Sequence, residues 1–294
     1  MSTALARITG LVLLLLPLAA LAGTHLCATD ALSRQLCLQA PAGRVISLSP
    51  GTTELLFSAG AGAAVVAVSA WSDYPPEAAR LPRVGDSNRL DLERILALRP
   101  DLVVAWSDGN SRTQMDRLEA LGIPVFWLAP RDFGDIAAAV VALGRLTGHE
   151  ARAQAQAEEF LAGIAALQAR YADAAPVRVF YQVWDRPLMT VNGEELISKA
   201  IALCGGRNIF ASLPRLVPRV TEEAVLAADP EAIVTSGQGD SRWLDDWRRF
   251  PELTAVARNN LFLVTPSLLQ RPTFRVLEGS RELCLRLEQA RDSR

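Results

Sequence analysis

Residues 149–172, HEARAQAQAEEFLAGIAALQARYA, are the stretch that decides the fold of this chain. The stretch contains no proline and a single glycine, and its Ala, Gln, Glu and Arg residues favour a helix. Its apolar residues recur every three or four positions, which is typical of a helix with one buried stripe: Ala153, Ala157, Phe160, Leu161, Ile164, Leu167 and Tyr171. A helix of this length would span roughly 35 Å, about the width of a small domain. We interpret it as a rigid connection between two lobes; a long helix inside one domain is the alternative.

Short apolar segments alternate with helical segments on both sides of this helix. The predicted strands lie at 44–48, 63–69, 101–105, 125–128, 177–183, 232–235 and 261–264. The predicted helices lie at 50–59, 91–98, 113–121, 132–146, 194–203, 221–227, 243–248 and 274–290. This alternation predicts an α/β protein with two Rossmann-like lobes, each built on a central parallel sheet, joined by one long rigid α-helix.

The predicted organisation has five parts. They are a signal peptide at 1–22, an N-terminal hairpin extension at 23–43, an N-terminal α/β lobe at 44–147, a linking helix at 148–173 and a C-terminal α/β lobe at 174–294. Within the N-terminal lobe, Ser49 or Thr52 can cap the first helix. We expect Glu54 in the first turn of that helix, where the helix dipole favours a negative charge.

Two segments, one in each half, match without a gap. Leu92–Val104, LERILALRPDLVV, aligns with Glu222–Val234, EEAVLAADPEAIV. Any helix–proline–strand unit would give such a match, so the alignment alone leaves that explanation open. A repeated unit on each side of the long helix nevertheless favours two pseudo-symmetric lobes. Because ligands of open α/β sheets bind beyond the carboxyl ends of the strands, two facing lobes would share a cleft.

Composition and the N-terminus bear on partners and location. Half of the 294 residues are hydrophobic and the net charge is −2, so the chain lacks the basic balance typical of nucleic-acid binding. Arg7, the apolar run 11–16 and Ala20-Leu-Ala22 form a signal-peptide pattern with a cleavage site before Gly23. The run is too short for a membrane span, and the residues before Cys27 make a poor lipobox. We therefore predict a periplasmic protein without membrane insertion.

Export makes the four cysteines candidates for disulfides. Four cysteines allow three pairings, and the sequence by itself does not choose among them. Cys27 and Cys37 flank a polar turn, where a bridge could staple a hairpin. Cys204 and Cys284 would then pair within the C-terminal half, and proximity favours this combination.

Residues suited to catalysis or metal binding are scarce. The only histidines, His25 and His149, leave little for a Ser-His-Asp triad or a metal cluster. Gly60-Ala-Gly62 and Gly237-Gln-Gly239 fall short of a complete phosphate-binding loop. We predict neither an enzyme nor a protein that captures a metal ion directly.

Large aromatic side chains stand near predicted strand ends: Trp71, Tyr74, Trp106 and Trp184. Core packing ends at such positions, and flat side chains there suit a large, partly apolar ligand. Each residue alone could equally be peripheral core. As a set they favour ligand contact.

Several short motifs follow one another along the chain: Ser49-Pro-x-x-Thr-Glu54, Ser72-Asp-Tyr-Pro-Pro76, Leu92-Glu-Arg-Ile95, Pro100-Asp-Leu-Val103, Ala105-Trp106, Cys204-Gly-Gly-x-Asn-Ile-Phe210 and Arg271. In combination they resemble the periplasmic binding proteins of the long-backbone-helix class, in particular the cobalamin-binding members of ABC importers. The resemblance covers about residues 44–290. It implies a monomer that captures a corrinoid as transported ligand, not as cofactor, and delivers it to an ABC transporter permease dimer.

The resemblance also implies roles for individual residues. Those that match or adjoin the family's corrinoid cleft are Gly51, Trp71, Tyr74, Trp106, Trp184, Met189 and Arg271. Glu93 and Glu223 match the glutamates, one per lobe, that dock onto arginines of the permease. The alternative for each is a charge that stabilises a helix N-terminus. Cys204 and Cys284 match the family's disulfide.

The chain departs from the family pattern at a few positions. Two tryptophans expected in the cleft are replaced by Ser87 and Val217, and an acidic position near it reads Ser267. The ligand could therefore be a different cobamide or a precursor, or be bound more weakly. A ferric siderophore or haem is the alternative ligand, since siderophore complexes are often anionic and the sequence offers candidate arginines: Arg186, Arg219, Arg271 and Arg275.

Overall fold

The computed structural model describes residues 26–87, 89–236 and 241–294. The predicted signal peptide and the Gly237-Gln-Gly239 motif lie outside the described residues. Near the start of the chain, β1 (Leu26–Thr29) and β2 (Gln35–Leu38) pair as an antiparallel hairpin. Cys27 and Cys37 face each other across it and form a disulfide, as predicted.

The N-terminal lobe is a parallel four-stranded sheet between helices. Its strand order is β4–β3–β5–β6, with β4 and β6 at the two edges of the sheet. The elements, in chain order, are β3 (Val45–Ser47), α1 (Pro50–Ser58), β4 (Val65–Val68), α2 (Leu92–Ala97), β5 (Leu102–Trp106), α3 (Arg112–Ala120), β6 (Val125–Leu128) and α4 (Phe133–Leu146). Short 3₁₀ turns lie at Gly62–Ala64 and Ala78–Arg80. The strands are buried on both faces, which explains their nearly continuous apolar sequence.

The long helix, α5, runs from Glu150 to Tyr171 and joins the two lobes. Its buried stripe is the predicted one with a single exception. Leu161 is 40% exposed, because it lies about 80° around the helix from the centre of the stripe. Gly163 lets the last helix of the chain approach closely, since a Cβ there would lie 2.5 Å from a Leu277 methyl carbon. None of the described helices combines the length and apolarity needed to cross a membrane.

The C-terminal lobe repeats the topology of the first. Its strand order is β10–β9–β7–β8, again parallel, so in both lobes the first strand lies between the second and the third. The elements are β7 (Val177–Gln182), α6 (Leu196–Leu203), β8 (Gly206–Asn208), α7 (Glu222–Ala228), β9 (Ala232–Thr235), α8 (Arg242–Asp245), α9 (Thr254–Ala257), β10 (Leu261–Leu263), α10 (Pro266–Leu269) and α11 (Val276–Asp292). A 3₁₀ turn follows α8 at Asp246–Arg249. Cys204, after α6, and Cys284, in α11, form the second predicted disulfide.

The sequence-based prediction missed several short elements. Strand β8 is the counterpart of β4, but its sequence Gly-Arg-Asn has no β-branched or aromatic residue. It forms because it pairs with β7 at the edge of the sheet. Helices α9 and α10 have only four residues each, too few to show a helical period.

Aromatic rings join the lobes at the middle of the long helix. Phe160 of α5 stacks on Phe274, which precedes α11, with ring centroids 4.6 Å apart. Its other neighbour is Phe133, at the start of α4, in an edge-on contact at 6.5 Å. The hydrophobic core is therefore continuous from one lobe through α5 to the other. Such packing favours a stiff connection over a loose hinge.

Candidate ligand-binding cleft

Two adjoining cavities lie between the lobes, with volumes of about 340 and 150 Å³. The larger is lined from both lobes by Trp106, Asp108, Pro130, Arg131, Val183, Trp184, Val191, Glu195, Leu196, Ile197, Val217, Leu269, Gln270 and Pro272. The smaller is lined by Ser49, Pro50, Gly51, Thr52, Leu55, Trp106, Leu128, Pro130, Gln270, Arg271 and Pro272. Because they share four residues, Trp106 among them, they form one cleft.

The cleft lies where the strand-end argument predicted it. Ser49 and Pro50 follow β3, Trp106 ends β5 and Pro130 comes just after β6. From the other lobe, Val183 and Trp184 follow β7. The carboxyl ends of both parallel sheets thus meet at the cleft, as in other open α/β folds.

Each of the two cleft tryptophans is held in place by its neighbours. The backbone N–H of Trp106 donates to Asn110 Oδ1 at 2.7 Å, and Asn110 donates in turn to the Leu48 carbonyl at 3.1 Å. The Trp106 ring lies so close to Gly109 that a Cβ there would be 2.3 Å from it. In the other lobe, Trp184 Nε1 donates to the Arg186 carbonyl and its ring meets Trp243 edge-on at 5.6 Å.

The structure brings most of the predicted ligand residues to the cleft, at different depths. Gly51, Trp106, Trp184 and Arg271 line the cavities. Trp71 and Tyr74 lie outside both linings, on a loop beside Arg271, and Trp71 is 80% exposed. Met189 is partly buried and bridges the backbones of Trp184 and Arg219.

The three positions that depart from the family pattern also have defined places. Val217 lines the larger cavity and is exposed there. Ser87 is exposed and lines neither cavity. Ser267 is partly buried and its hydroxyl accepts a hydrogen bond from Arg275 at 3.3 Å.

Sequence reasoning missed the role of Glu54. It is not in the first turn of α1; Ser49 caps that helix through the Thr52 N–H, and Glu54 lies deeper, only 2% exposed. Its carboxylate accepts hydrogen bonds from Arg271 at 2.8 Å and from Thr273 at 2.9 Å, and Arg275 lies at 3.5 Å. The sequence feature that could have indicated a buried carboxylate is the position of Glu54 directly before the apolar run Leu55-Leu-Phe57. A buried carboxylate needs partners, and here they come from more than 200 positions away in the sequence.

Arg271 is charged, and its Nη1 is shared by two carboxylates. Its Nη1 also donates to Asp73 Oδ1 at 2.6 Å. Burial disfavours the guanidinium charge, but the hydrogen bonds to Asp73 and Glu54 outweigh it and raise the pKa of Arg271. The same contact lowers the pKa of Asp73.

The two glutamates assigned to docking stand at equivalent places in the lobes. Glu93 is exposed in the first turn of α2, and Glu223 is exposed in the first turn of α7. Hydrogen bonds from its own backbone N–H and from the Thr221 hydroxyl lower the pKa of Glu223. Both carboxylates are therefore accessible to a partner protein. Each also lies near a helix N-terminus, where a negative charge stabilises the helix.

Among the described residues, no group of three or more His, Cys, Asp and Glu side chains could hold a metal ion.

The chain belongs to the periplasmic binding protein family, whose sequence pattern matches residues 45–268. This is a family of binding proteins rather than of enzymes. Within it, the chain is 40% identical over 245 residues to the vitamin B12-binding protein of Yersinia pestis (strain Pestoides F), covering 83% of this chain and 85% of that one.

Solved structures agree with the family and the fold. The periplasmic vitamin B12 binding protein BtuF of Vibrio cholerae is 35% identical, with a TM-score of 0.78, covering 85% of this chain and 98% of that one. The periplasmic haem binding protein HutB of Vibrio cholerae has a TM-score of 0.74 at 22% identity, covering 83% and 98%. At that identity the haem-binding protein shares the fold alone.

Proposed function

We propose that this protein captures cobalamin or a related corrinoid between its two lobes and delivers it to an ABC importer. Its relatives at 35–40% identity are named vitamin B12-binding proteins and match most of their own length. The observation that carries the proposal is the pair Trp106 and Trp184, one from each lobe, on a single shared cleft. A corrin ring is large, flat and edged with amides, and it suits opposed aromatic walls with a few polar groups.

The two cavities are small for a whole corrinoid, so the ligand extends from them towards the rim. Trp71 and Tyr74 stand at that rim and provide further flat contact area. We assign binding contacts to Gly51, Trp71, Tyr74, Trp106, Trp184 and Met189, and a binding role to Arg271. The corrinoid is cargo, and its cobalt arrives with its own ligands.

Delivery uses the exposed glutamates of the two lobes. Glu93 and Glu223 lie at matching positions of a repeated unit, which suits a permease dimer with two-fold symmetry. The stiff α5 connection limits closure to a small movement, so both carboxylates stay in register for docking. We further propose a monomer that is exported by a cleaved signal peptide at 1–22 and acts in the periplasm.

The charges of the cleft weigh against an anionic siderophore. Arg271 and Arg275 converge on Glu54, and Arg271 also pairs with Asp73, so both guanidinium groups already have carboxylate partners. Arg219 is exposed and lines neither cavity. Arg186 is exposed and lies between Asp185 and Asp246, each at 3.7 Å. Recognition of an anion requires converging cations that are not already neutralised.

Isothermal titration of the purified protein with cyanocobalamin, and with its base-free precursor cobinamide, tests the proposal. We expect stoichiometric binding with a dissociation constant between about 1 nM and 1 μM, roughly −12 to −8 kcal/mol. The ratio of the two affinities reports whether Ser87 and Val217 relax selectivity for the lower base. Haemin and a ferric siderophore serve as competitors. Folded protein that binds either of these and neither corrinoid overturns the proposal.

A further inference from the structure

The loop that carries Trp71 and Tyr74 is held from both sides. Behind it, Arg83 Nη1 donates to the carbonyls of Ser69 and Ser72, at 3.1 and 2.9 Å. The Ser72 hydroxyl also accepts a hydrogen bond from Thr53 at 3.1 Å. In front, Arg271 bonds the Asp73 carboxylate and lies 3.4 Å from the Trp71 carbonyl.

Tyr74 has its own partner in the segment before α11. The Arg275 guanidinium carbon lies 4.0 Å from the centroid of the Tyr74 ring, a cation–π contact. Arg271 and Arg275 are both anchored on buried Glu54, and Thr273 between them donates to the same carboxylate. One carboxylate therefore fixes the segment 271–275, and that segment fixes the loop.

The loop needs such support. Trp71 has a φ of +65°, in the left-handed region that a bulky residue rarely adopts, and the residue is largely exposed. A residue in this region is strained and persists where its surroundings fix it. On the exposed side of this loop, the contacts in the described part of the chain are the Arg271 bonds to Asp73 and to the Trp71 carbonyl, and the Arg275 guanidinium over the Tyr74 ring.

We propose that Glu54, Asp73, Arg271 and Arg275 are positioning residues, which preset the aromatic loop Trp71–Tyr74 at the rim of the cleft. The inference rests on the proposed function for what the loop contacts, a large flat ligand. It assigns Arg271 an indirect role: its guanidinium is engaged by two carboxylates and supports binding through Trp71 and Tyr74. A loop held in its bound form loses less entropy on binding, which raises affinity.

The first experiment needs no ligand. Hydrogen exchange of the purified protein is compared between wild type and Asp73→Asn, a substitution at an exposed carboxylate that leaves the core intact. The amides of Ala70 and Ala78 flank the loop and donate to the Gly85 and Pro75 carbonyls, at 2.7 and 2.8 Å. We expect these two amides to exchange about tenfold faster in the variant, while β4 and α1 stay protected. Glu119→Gln, which breaks a surface pair with Arg34 at 2.9 Å, is the matched control and leaves both amides unchanged. Unchanged exchange in Asp73→Asn overturns the inference.

The second experiment is a double-mutant cycle with cyanocobalamin. We expect Trp71→Ala to weaken binding about tenfold in wild type but less than about twofold in Asp73→Asn, because the ring is already misplaced. Asp73→Glu, which keeps the charge, restores most of the affinity. Strictly additive losses overturn the positioning role. Wild-type protein that binds no corrinoid contradicts the proposed function, and the exchange experiment then still decides whether the network orders the loop.

Discussion

The two helix–proline–strand units, 92–104 and 222–234, share a backbone and differ in what surrounds them. In each, an N-cap side chain accepts from the N–H three residues on, Asp91 from Arg94 and Thr221 from Ala224. In each, the residue before the proline has a positive φ, 45° at Arg99 and 41° at Asp229. The sequence match is therefore a match of local conformation as well.

The resemblance extends to the strand beside each unit. Arg44 Nε donates to the Arg99 carbonyl at 3.3 Å, and Arg178 Nε donates to the Asp229 carbonyl at 3.2 Å. The acid after each proline accepts from the backbone N–H of the same arginine, Asp101 from Arg44 and Glu231 from Arg178. With the identical strand order, these contacts favour duplication over a chance likeness of helix–proline–strand units.

The two units differ in the contacts that their side chains make with the rest of each lobe. Asp229 accepts from the Thr254 N–H at 2.9 Å and its hydroxyl at 2.7 Å, which ties α7 to α9. Arg99 occupies the same place in the other lobe, where α3 is the only element described between β5 and β6. The comparison teaches that a local pattern sets the backbone of both lobes, whereas distant residues decide what each lobe contacts.

The largest effect is expected from removing the carboxylates with which both lobes are proposed to dock onto the permease. Replacing Glu93 and Glu223 together with Ala should abolish corrinoid uptake by cells, since each lobe then lacks its carboxylate for the permease. Binding affinity should stay at the wild-type value, because neither residue touches the cleft. Uptake of labelled cyanocobalamin and titration of the purified variant are the measurements. Lost affinity, or normal uptake, would contradict the docking role, and the single variants show whether one lobe dominates.

The next largest effect is the difference in stability that is lost when each of the two disulfides is removed. The Cys204–Cys284 bridge joins residues 80 apart in the sequence and the Cys27–Cys37 bridge residues 10 apart. The chain-entropy relation gives about 4.5 kcal/mol of stabilisation for the first and about 2.7 kcal/mol for the second. Two double variants, Cys204→Ser with Cys284→Ser and Cys27→Ser with Cys37→Ser, are unfolded in urea, and the loss of unfolding free energy is measured for each. Equal losses would show that loop length is not what distinguishes the bridges.

A smaller effect separates the two cleft tryptophans. Trp106 lines both cavities and Trp184 only the larger one. We expect Trp106→Ala to weaken corrinoid binding by about 2 kcal/mol, roughly thirtyfold, and Trp184→Ala by about 1 kcal/mol. Isothermal titration measures both, with circular dichroism as a check of folding. The reverse order would place the centre of the ligand in the C-terminal lobe.

The smallest effect concerns the residues before the prolines. Asp229→Ala should cost about 1 kcal/mol of unfolding free energy, because the N–H and hydroxyl of Thr254 at the start of α9 lose their acceptor, whereas Arg99→Ala should cost less. Burial opposes the Asp229 charge, but the bonds from Thr254 and the nearby arginines lower its pKa overall. The stabilisation is therefore present above the ordinary carboxyl pKa of about 4 and is lost as pH falls through the lower folded value. Urea unfolding of the variant and the wild type at neutral and acid pH checks this. If the difference between their unfolding free energies grew on acidification, the predicted role of the Asp229 charge would be wrong.

Much of the fold was determined by the sequence by itself. The period of residues 149–172 gave the long helix and its stripe, the alternation of short apolar and helical segments gave two parallel sheets, and the spacing of the cysteines favoured the correct pairing. These signals are local, because they reflect how neighbouring residues repeat along a helix or strand. The strand-end rule then placed Trp106 and Trp184 at the cleft.

Only the tertiary structure decided the rest. The polar strand β8 exists because β7 is beside it, and Leu161 is exposed because of its angle around α5. Arg271 meets Glu54 and Asp73 although they lie 217 and 198 positions away, and no local pattern marks them as partners. The physical reason is common to all three cases: propensity and periodicity act between neighbours in sequence, whereas burial and charge pairing act between neighbours in space.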